Sequence, residues 1–320
     1  MSKDRVAWID NIRFFAILCV VIGHTLGFLT KGNVPGGYLV ECIIISFNIP
    51  LFFMLSGYTS GSHFLKDASI KQLLNRLFKI SVRLLVPSLT FASFLLLLGW
   101  VTDVLVTYWF LTALWKVMAL FIFICLIAII LKWDEKKTFL VLLFFYFSSL
   151  VLGSRNCEFS SYFVLGILLK KYNILQRLNI FHCIILLLLY VILFQISKDH
   201  TFYKEGFRSL LESGCYVILL SRQLVASLAC IVLAKLFFEI YNKKSLFSYL
   251  GTMTLGIYII HDTIVDFTIR QHLGWCLPDW GYFTWLSIMA VVLVLILISV
   301  LFIMFFRKYK WTRLLLLGEF

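Results

Sequence analysis

Residues 7–29 read AWIDNIRFFAILCVVIGHTLGFL, an apolar stretch that carries Asp10, Arg13 and His24. Arg13 and His24 are eleven positions apart, which is about three turns of an α-helix, so both side chains project from the same side. Ionisable side chains are costly in lipid and usually face a protein-lined or water-filled interior. The stretch therefore predicts a membrane-spanning helix whose polar face is the first place to search for a functional site.

The composition of the whole chain indicates the same environment. Of its 320 residues, 62% are hydrophobic and 14% are charged, and the mean hydropathy is +0.97. A soluble protein of this length could not cover so much apolar surface with so few charges, whereas a bilayer needs about 20 apolar residues per helical span. The sequence predicts an all-α integral membrane protein.

Apolar runs bounded by charged or turn residues indicate about ten transmembrane helices in one domain covering residues 1–320, with no separate soluble domain. Two of the runs, 138–153 and 159–169, are short for a bilayer about 30 Å thick. The ten predicted spans are 7–29, 38–60, 84–102, 108–131, 138–153, 159–169, 180–196, 219–240, 250–267 and 282–306.

The distribution of lysine and arginine predicts the orientation. With the N-terminus in the cytoplasm, nineteen of the 29 basic residues fall in cytoplasmic loops and termini and six in outer loops. This bias follows the positive-inside rule, so both termini are predicted to be cytoplasmic. It also accounts for the net charge of +13, so the basic composition is not interpreted as nucleic-acid binding.

Four basic residues remain inside the predicted spans: Arg13, Lys116, Arg222 and Lys235. Lys235 lies near the cytoplasmic end of its span and is expected to snorkel to the interface. Arg222 and Lys116 lie deeper, where they could face an interior cavity. The eight cysteines show no metal-binding spacing, and neither a metal site nor a permanently bound cofactor is expected.

Two further segments carry recognisable patterns. Pro50 interrupts the second predicted span, and the small residues Ser56 and Gly57 after it favour close helix packing over a direct role in a site. In the segment that precedes the third predicted span, basic residues recur at spacings of three and four and form one cationic stripe. This stripe is equally explained as an anchor to lipid phosphates or as a site for a phosphate-bearing ligand from the cytoplasm. Its members are Arg76, Lys79 and Arg83.

Five motifs in order along the chain resemble the membrane-bound acyltransferase 3 family. The most specific is the pair Arg13 and His24, with ten residues between them and Asp10 before them. The motifs are WIDNIRFFAILCVVIGH at 8–24, PLFFMLSGY at 50–58, RLLVP at 83–87, YWFLTALW at 108–115 and TLGIYIIHDTIV at 254–265. Many relatives have arginine at the position of Lys79, which weakens the phosphate-binding interpretation there.

The resemblance implies a stand-alone O-acyltransferase in a bacterial cytoplasmic membrane. Such an enzyme moves an acetyl group from acetyl-CoA to a sugar hydroxyl of a surface polysaccharide or its lipid-linked precursor. His24 would act as the general base or carry the acyl group itself, and Arg13 would be oriented by Asp10. The charged end of acyl-CoA would bind Arg76, Lys79 and Arg83, and its acyl arm would pass Arg13 toward His24.

Three other residues are weaker candidates. His261, which the family pattern includes, could serve catalysis or a structural hydrogen bond, with Asp262 beside it in the same polar patch. Trp109 could stack on a sugar, although an aromatic residue at a membrane interface is ordinary. Arg222 is the third. Residues 197–218 are either an acceptor-facing loop or an ordinary connection.

A transporter or flippase for a polysaccharide intermediate is the alternative of another class, because interior charges would serve it too. The sequence shows no inverted repeat or paired broken helices, which disfavours that alternative. The expected partners are acyl-CoA, a sugar acceptor and membrane lipids. The sequence does not indicate the oligomeric state.

Overall fold

A computed structural model describes residues 6–30, 34–64, 69–99, 109–130, 132–134, 136–138, 140–141, 144, 155–197, 216–265, 269 and 276–319. Within these ranges the chain forms helices and their connections, with no strand. The α-helices are α1 Ala7–Leu29, α2 Gly37–Phe64, α3 Ile70–Leu97, α4 Trp109–Ile130, α5 Arg155–Lys171, α6 Ile174–Arg177, α7 Ile180–Ser197, α8 Tyr216–Ile240, α9 Leu246–Gly251, α10 Thr254–Asp262, α11 Thr284–Phe306 and α12 Lys310–Leu317.

Seven helical segments in the described part of the chain are long and apolar enough to cross a membrane. This confirms the prediction of an all-α, multi-pass membrane protein, while the count of ten and the location of the termini stay predictions. The seven segments are Ala7–Leu29, Gly37–Ser60, Ile70–Leu97, Leu111–Ile130, Ile180–Ser197, Leu220–Ile240 and Gly281–Phe306.

Three of the ten predicted spans do not correspond to any of these seven segments. Most of 138–153 lies outside the described residues. The run 159–169 lies inside α5. The segment 250–267 is not one continuous helix, because a turn at Thr252 and Met253 separates α9 from α10.

The third helix begins at Ile70, fourteen residues before the predicted start at 84. The prediction was wrong because the basic residues of 71–83 were read as a flank. They alternate with apolar residues at helical spacing, and this amphipathic pattern extends the helix. Pro50 and Pro87 both lie inside continuous helices, so the predicted interruption at Pro50 was also wrong. Transmembrane helices tolerate proline where neighbouring groups satisfy the released carbonyl.

The chain divides into two compact units. Unit 1 comprises Met1–Asn48, Val82–Trp109 and Ile240–Phe320, and unit 2 comprises Ile49–Ser81 and Phe110–Glu239.

Helix α1 is the central element of unit 1, where it packs against α9, α10 and α11. Its side chains Trp8, Ile12 and Ile17 are almost completely buried. Asn11 fixes the entry into α9: its Nδ2 donates to the carbonyl oxygens of Tyr241 at 2.6 Å and Lys243 at 3.2 Å. Its Oδ1 accepts from the Ser245 hydroxyl at 2.8 Å. A buried amide with these partners is satisfied on both its donor and acceptor sides.

Gly251, the last residue of α9, lies directly against the backbone of α1. A Cβ atom at this position would stand 1.8 Å from the carbonyl oxygen of Asp10. Closer to the C-terminal end of α1, His24 contacts His261 of α10. The two contacts together show that α10 runs beside α1 in the same direction, which brings its C-terminal end to the level of His24.

Two glycines make a reciprocal contact between α2 and α5 in unit 2. A Cβ at Gly57 would stand 1.9 Å from the Phe163 carbonyl oxygen, and one at Gly166 would stand 1.9 Å from that of Met54. This confirms the predicted packing role of the small residues after Pro50, because small residues let helix backbones approach closely in lipid.

The Lys235 side chain has protein partners that the sequence did not predict, and its reach to the membrane interface stays a prediction. Lys235 is buried in unit 2, and its Nζ donates to the Leu175 carbonyl oxygen at 2.8 Å and pairs with Glu239. A carboxylate one turn away and a carbonyl oxygen together offset the cost of burying the ammonium group.

Substituting Gly251 tests the backbone contact with α1. Gly251→Ala places a methyl group on the Asp10 carbonyl, and overpacking of this kind costs about 1–3 kcal/mol or more. We expect the Tm of the protein in detergent to fall by about 5 °C or more.

Gly23→Ala is the matched control, because a Cβ there would stand 3.5 Å from Ile44 Cγ2, an ordinary contact. Alanine is also the better helix former, so its Tm should stay level or rise. Equal Tm values for the two variants would show that the α1–α9 contact is looser than described.

Candidate active site

The first polar group on α1 is the ion pair between Asp10 and Arg13. Arg13 Nη1 donates to Asp10 Oδ1 at 3.3 Å, and the side chains are 27% and 7% exposed respectively. The predicted pairing is confirmed. His24 follows on the same helix, about 16 Å farther along its axis at 1.5 Å per residue.

His24 of α1 meets His261 and Asp262 at the end of α10. His24 Nδ1 lies 3.2 Å from Asp262 Oδ1 and 3.2 Å from His261 Nε2. The imidazole rings are 5.2 Å apart between centroids. His261 is fully buried, and the His24 side chain keeps 23% of its surface exposed. The structure thus brings the predicted residues His24 and His261 together.

The partners of these rings assign their tautomers. His261 Nδ1 lies 2.7 Å from the Ile257 carbonyl oxygen, which can only accept, so this nitrogen carries the proton. Full burial disfavours a charged ring, which leaves Nε2 of His261 as an acceptor. His24 Nδ1 therefore faces two acceptors, His261 Nε2 and Asp262 Oδ1, and we assign its proton to that nitrogen.

This assignment leaves Nε2 of His24 with its lone pair available. A histidine held in one tautomer by a carboxylate on the other nitrogen can accept a proton, and the carboxylate stabilises the imidazolium that forms. Beyond Asp262 the backbone continues as a π-helical turn over residues 263–265. Such turns in α-helices often occur at functional sites.

The same three side chains could also hold a metal ion. One nitrogen from each histidine and one oxygen of Asp262 lie within 4.8 Å of one another, and two imidazoles with a carboxylate are ligands that Zn²⁺ accepts. The hydrogen bond from His261 Nδ1 to a backbone carbonyl occurs in metal sites as well. We interpret the cluster without a metal, because His24 Nδ1 forms a hydrogen bond with His261 Nε2 and lies within ion-pair distance of Asp262 Oδ1.

The three basic residues of α3 have different surroundings: Arg76 and Lys79 belong to unit 2, and Arg83 belongs to unit 1. In unit 2, Arg76 is half-buried and its Nη2 donates to Ser60 Oγ at 3.1 Å, while Lys79 is exposed. In unit 1, Arg83 is exposed, and Gly318 packs on its backbone so closely that a Cβ there would stand 2.5 Å from the Arg83 carbonyl oxygen. Arg76 thus has a structural partner that the sequence did not indicate.

The remaining candidates are not brought into the His24 cluster by any described contact. Arg222 is buried in unit 2. Trp109 begins α4, and its side chain lies outside the described part of the chain. Most of the predicted acceptor-facing loop, residues 198–215, also lies outside it.

Sequence reasoning missed the role of Asp262 as the carboxylate partner of His24. The available signal was its position next to His261 in a polar patch of an apolar helix. The pairing itself joins residues more than 200 positions apart, and helical spacing gives no information over such a separation.

Comparisons with known proteins bear on the class of this molecule. A protein-family model described as an acyltransferase domain, that of the acyltransferase 3 family, matches residues 6–306, which include the whole His24, His261 and Asp262 cluster. Searches of curated proteins and of solved structures gave no match. The match covers nearly the whole chain, and the protein therefore belongs to the acyltransferase 3 family of membrane proteins.

Proposed function

We propose that this protein is an O-acetyltransferase of a bacterial cytoplasmic membrane. It transfers an acetyl group from acetyl-CoA to a sugar hydroxyl of a surface polysaccharide or its lipid-linked precursor. The observation that carries this proposal is the contact of His24 Nδ1 with Asp262 and His261, because it prepares the other imidazole nitrogen to accept a proton. Family membership favours this enzyme over a transporter.

In the proposed reaction His24 is the general base. Its Nε2 removes the proton of the sugar hydroxyl while the oxygen attacks the thioester carbonyl of acetyl-CoA. The carbon–sulfur bond breaks, an ester bond forms, and the proton on His24 passes to the departing thiolate. Asp262 stabilises the imidazolium between these two transfers.

His24 could instead carry the acetyl group before the sugar receives it. That route uses the same Nε2 lone pair as a nucleophile, so the geometry of the cluster allows both routes. The carboxylate of Asp262 favours the general base, because its main effect is to stabilise a protonated ring. Rapid denaturation at neutral pH in the absence of an acceptor separates the routes, since only the second leaves radiolabel on the protein, as an acyl-imidazole that acid would hydrolyse.

Arg13 and the basic residues of α3 are proposed to bind the donor. Arg13 faces the same side of α1 as His24, and its pairing with Asp10 lowers the cost of keeping a guanidinium inside the membrane. Lys79 and Arg83 are exposed and can approach the phosphates of CoA, where charge-assisted hydrogen bonds are strong. This assignment rests on the helical spacing of the residues and on the charge of the donor.

Substitution of His24 tests the proposed base. We expect His24→Ala to reduce the transfer of radiolabelled acetyl from acetyl-CoA to membrane saccharide by at least about 10²-fold, the usual contribution of a general base. Wild type and variant are compared in membranes at matched expression.

Two controls accompany this measurement. His182→Ala removes a histidine of α7 whose ring contacts the backbone of Asn179, and it should leave the rate unchanged. EDTA treatment should also leave it unchanged, because the cluster works as a hydrogen-bonded base. A rate lost with EDTA and restored by Zn²⁺ would instead favour metal activation of the hydroxyl.

Substitution of Asp262 tests whether its carboxylate makes His24 a stronger base. Asp262→Asn keeps the size of the side chain but removes the charge that stabilises the imidazolium. We expect kcat to fall about 10-fold to 10³-fold while KM for acetyl-CoA stays within two-fold of the wild-type value. A matched substitution, Asp134→Asn, changes an exposed carboxylate outside the cluster and should not alter kcat. Equal kcat for Asp262→Asn and wild type would remove Asp262 from the mechanism.

Removal of the α3 charges tests the donor site. We expect the triple variant Arg76→Ala, Lys79→Ala and Arg83→Ala to raise the apparent Kd for acetyl-CoA at least ten-fold. The double variant, which combines Lys79→Ala with Arg83→Ala and keeps Arg76, should show a smaller rise. The double variant is needed because the bond from Arg76 to Ser60 gives the triple variant a folding risk.

The charge-matched control substitutes the exposed residues Lys132, Lys136 and Lys137 with alanine. It removes the same three charges from another segment, so it should leave the Kd unchanged. An unchanged Kd in the α3 variants, or an equal rise in the control, would contradict the proposed donor site.

A further inference from the structure

A cavity of about 280 Å³ lies in unit 1 beside the C-terminal end of α1. Thr30 and Val34 form one part of its wall. The rest is formed by residues 276–279 before α11 and by Thr284, the first residue of α11. The volume is close to the lower limit of ordinary small-molecule sites. With the predicted orientation, this end of α1 faces the outside of the membrane.

Backbone hydrogen bonds fix the segment that forms this wall. The Leu277 N–H donates to the Leu29 carbonyl oxygen at 2.6 Å. The Gly281 N–H donates to Asp279 Oδ1 at 3.0 Å, and the Trp280 N–H donates to Thr284 Oγ1 at 2.9 Å. The cavity is therefore held open by bonds within the protein, so binding need not order this segment.

The polar groups on the wall favour a ligand that carries hydroxyl groups. Asp279 uses one carboxylate oxygen for the Gly281 N–H, and its other oxygen can accept from a ligand. The Thr284 hydroxyl accepts from Trp280, which leaves its own hydrogen to donate. None of the described wall residues is a cation. The Asp279 carboxylate repels an anionic group, so this wall suits a neutral hydroxyl-bearing ligand better than a phosphate.

Exposed aromatic side chains lie in the chain between the wall residues Asp279 and Thr284. Trp280, Tyr282 and Phe283 are 60%, 78% and 69% exposed. Aromatic residues at a membrane interface ordinarily serve as anchors. An aromatic ring can also pack its apolar face against the C–H groups of a sugar ring. The Trp N–H and the Tyr O–H can in addition form hydrogen bonds with sugar hydroxyl groups.

The cavity lies beyond His24 along the axis of α1. Thr30 follows His24 by six positions, which is about 9 Å along the axis of α1. A ring in the cavity would therefore leave the next ring of a saccharide free to present its hydroxyl to His24.

We propose that this cavity is an acceptor subsite that binds the neutral sugar residue adjacent to the one that receives the acetyl group. Asp279 and Thr284 bind its hydroxyl groups, and Trp280 covers one face of the ring. This inference rests on the proposed function, and it assigns acceptor recognition to the segment 276–284 of unit 1.

The test compares monosaccharides with disaccharides as acceptors for purified protein in lipid nanodiscs. The pairs are glucose with maltose, galactose with lactose, and N-acetylglucosamine with N,N′-diacetylchitobiose. Hydrolysis of acetyl-CoA without acceptor is measured in parallel. We expect wild type to have at least a ten-fold lower KM for one disaccharide than for its monosaccharide. Asp279→Asn and Trp280→Ala should each reduce that ratio at least five-fold and leave hydrolysis within two-fold.

Matched controls separate this effect from a general one. Asp134→Asn changes another exposed aspartate whose Oδ1 accepts a backbone N–H, that of Lys137 at 2.7 Å. Trp311→Ala removes another exposed tryptophan, at 70%. Both should keep the wild-type ratio. Asn can still accept from Gly281, so Asp279→Asn preserves the wall of the cavity.

The other possible results would contradict the subsite, the role of Trp280 or the proposed function. An unchanged KM ratio in Asp279→Asn, or no preference for any disaccharide in wild type, overturns the subsite. Equal effects of Trp280→Ala and Trp311→Ala would make Trp280 a membrane anchor and contradict its role in the site. Wild-type protein that neither hydrolyses acetyl-CoA nor transfers acetyl contradicts the proposed function itself.

Discussion

The close contact between Gly251 and the Asp10 carbonyl is the constraint on which the arrangement of unit 1 depends. No side chain separates α9 from α1 at this point, and Asn11 fixes the chain just before α9. Lipid supplies no hydrophobic driving force between helices, so close packing and interhelical hydrogen bonds must set their register. With that register fixed, nine residues of α10 are enough to carry His261 and Asp262 to the level of His24.

The charged and imidazole side chains of α1 fall into two small sets, each with partners inside the protein. Asp10 neutralises Arg13 near the start of α1, and Asp262 with His261 surrounds one nitrogen of His24 near its end. Each set limits the cost of placing ionisable groups at membrane depth. In the second set both partners lie on the Nδ1 side of the half-buried His24 ring, and this is the geometry from which the proposed general base is argued.

The sequence predicted the features that depend on local spacing. The span 7–29, the pair Asp10 and Arg13, and the membrane class follow from helical periodicity and composition, and all are confirmed. The start of α3 and the partners of Lys235 were not predicted. The sequence position of a charged residue near a helix end does not show whether the residue extends the helix, reaches the membrane interface or pairs inside the protein. The contact of Asp262 with His24 was also missed, since it depends on the turn at Thr252 and on a backbone contact between distant segments.

The reciprocal contacts of Gly57 and Gly166 in unit 2 restrict how this sequence can diverge. At each position the atom that an added methyl would meet belongs to the backbone of the opposite helix, and no exchange of side chains removes a backbone carbonyl. A larger residue at either position therefore cannot be balanced by a smaller side chain on the opposite helix. Descendants of this chain that keep the α2–α5 packing should retain both glycines even where the surrounding apolar residues have exchanged freely.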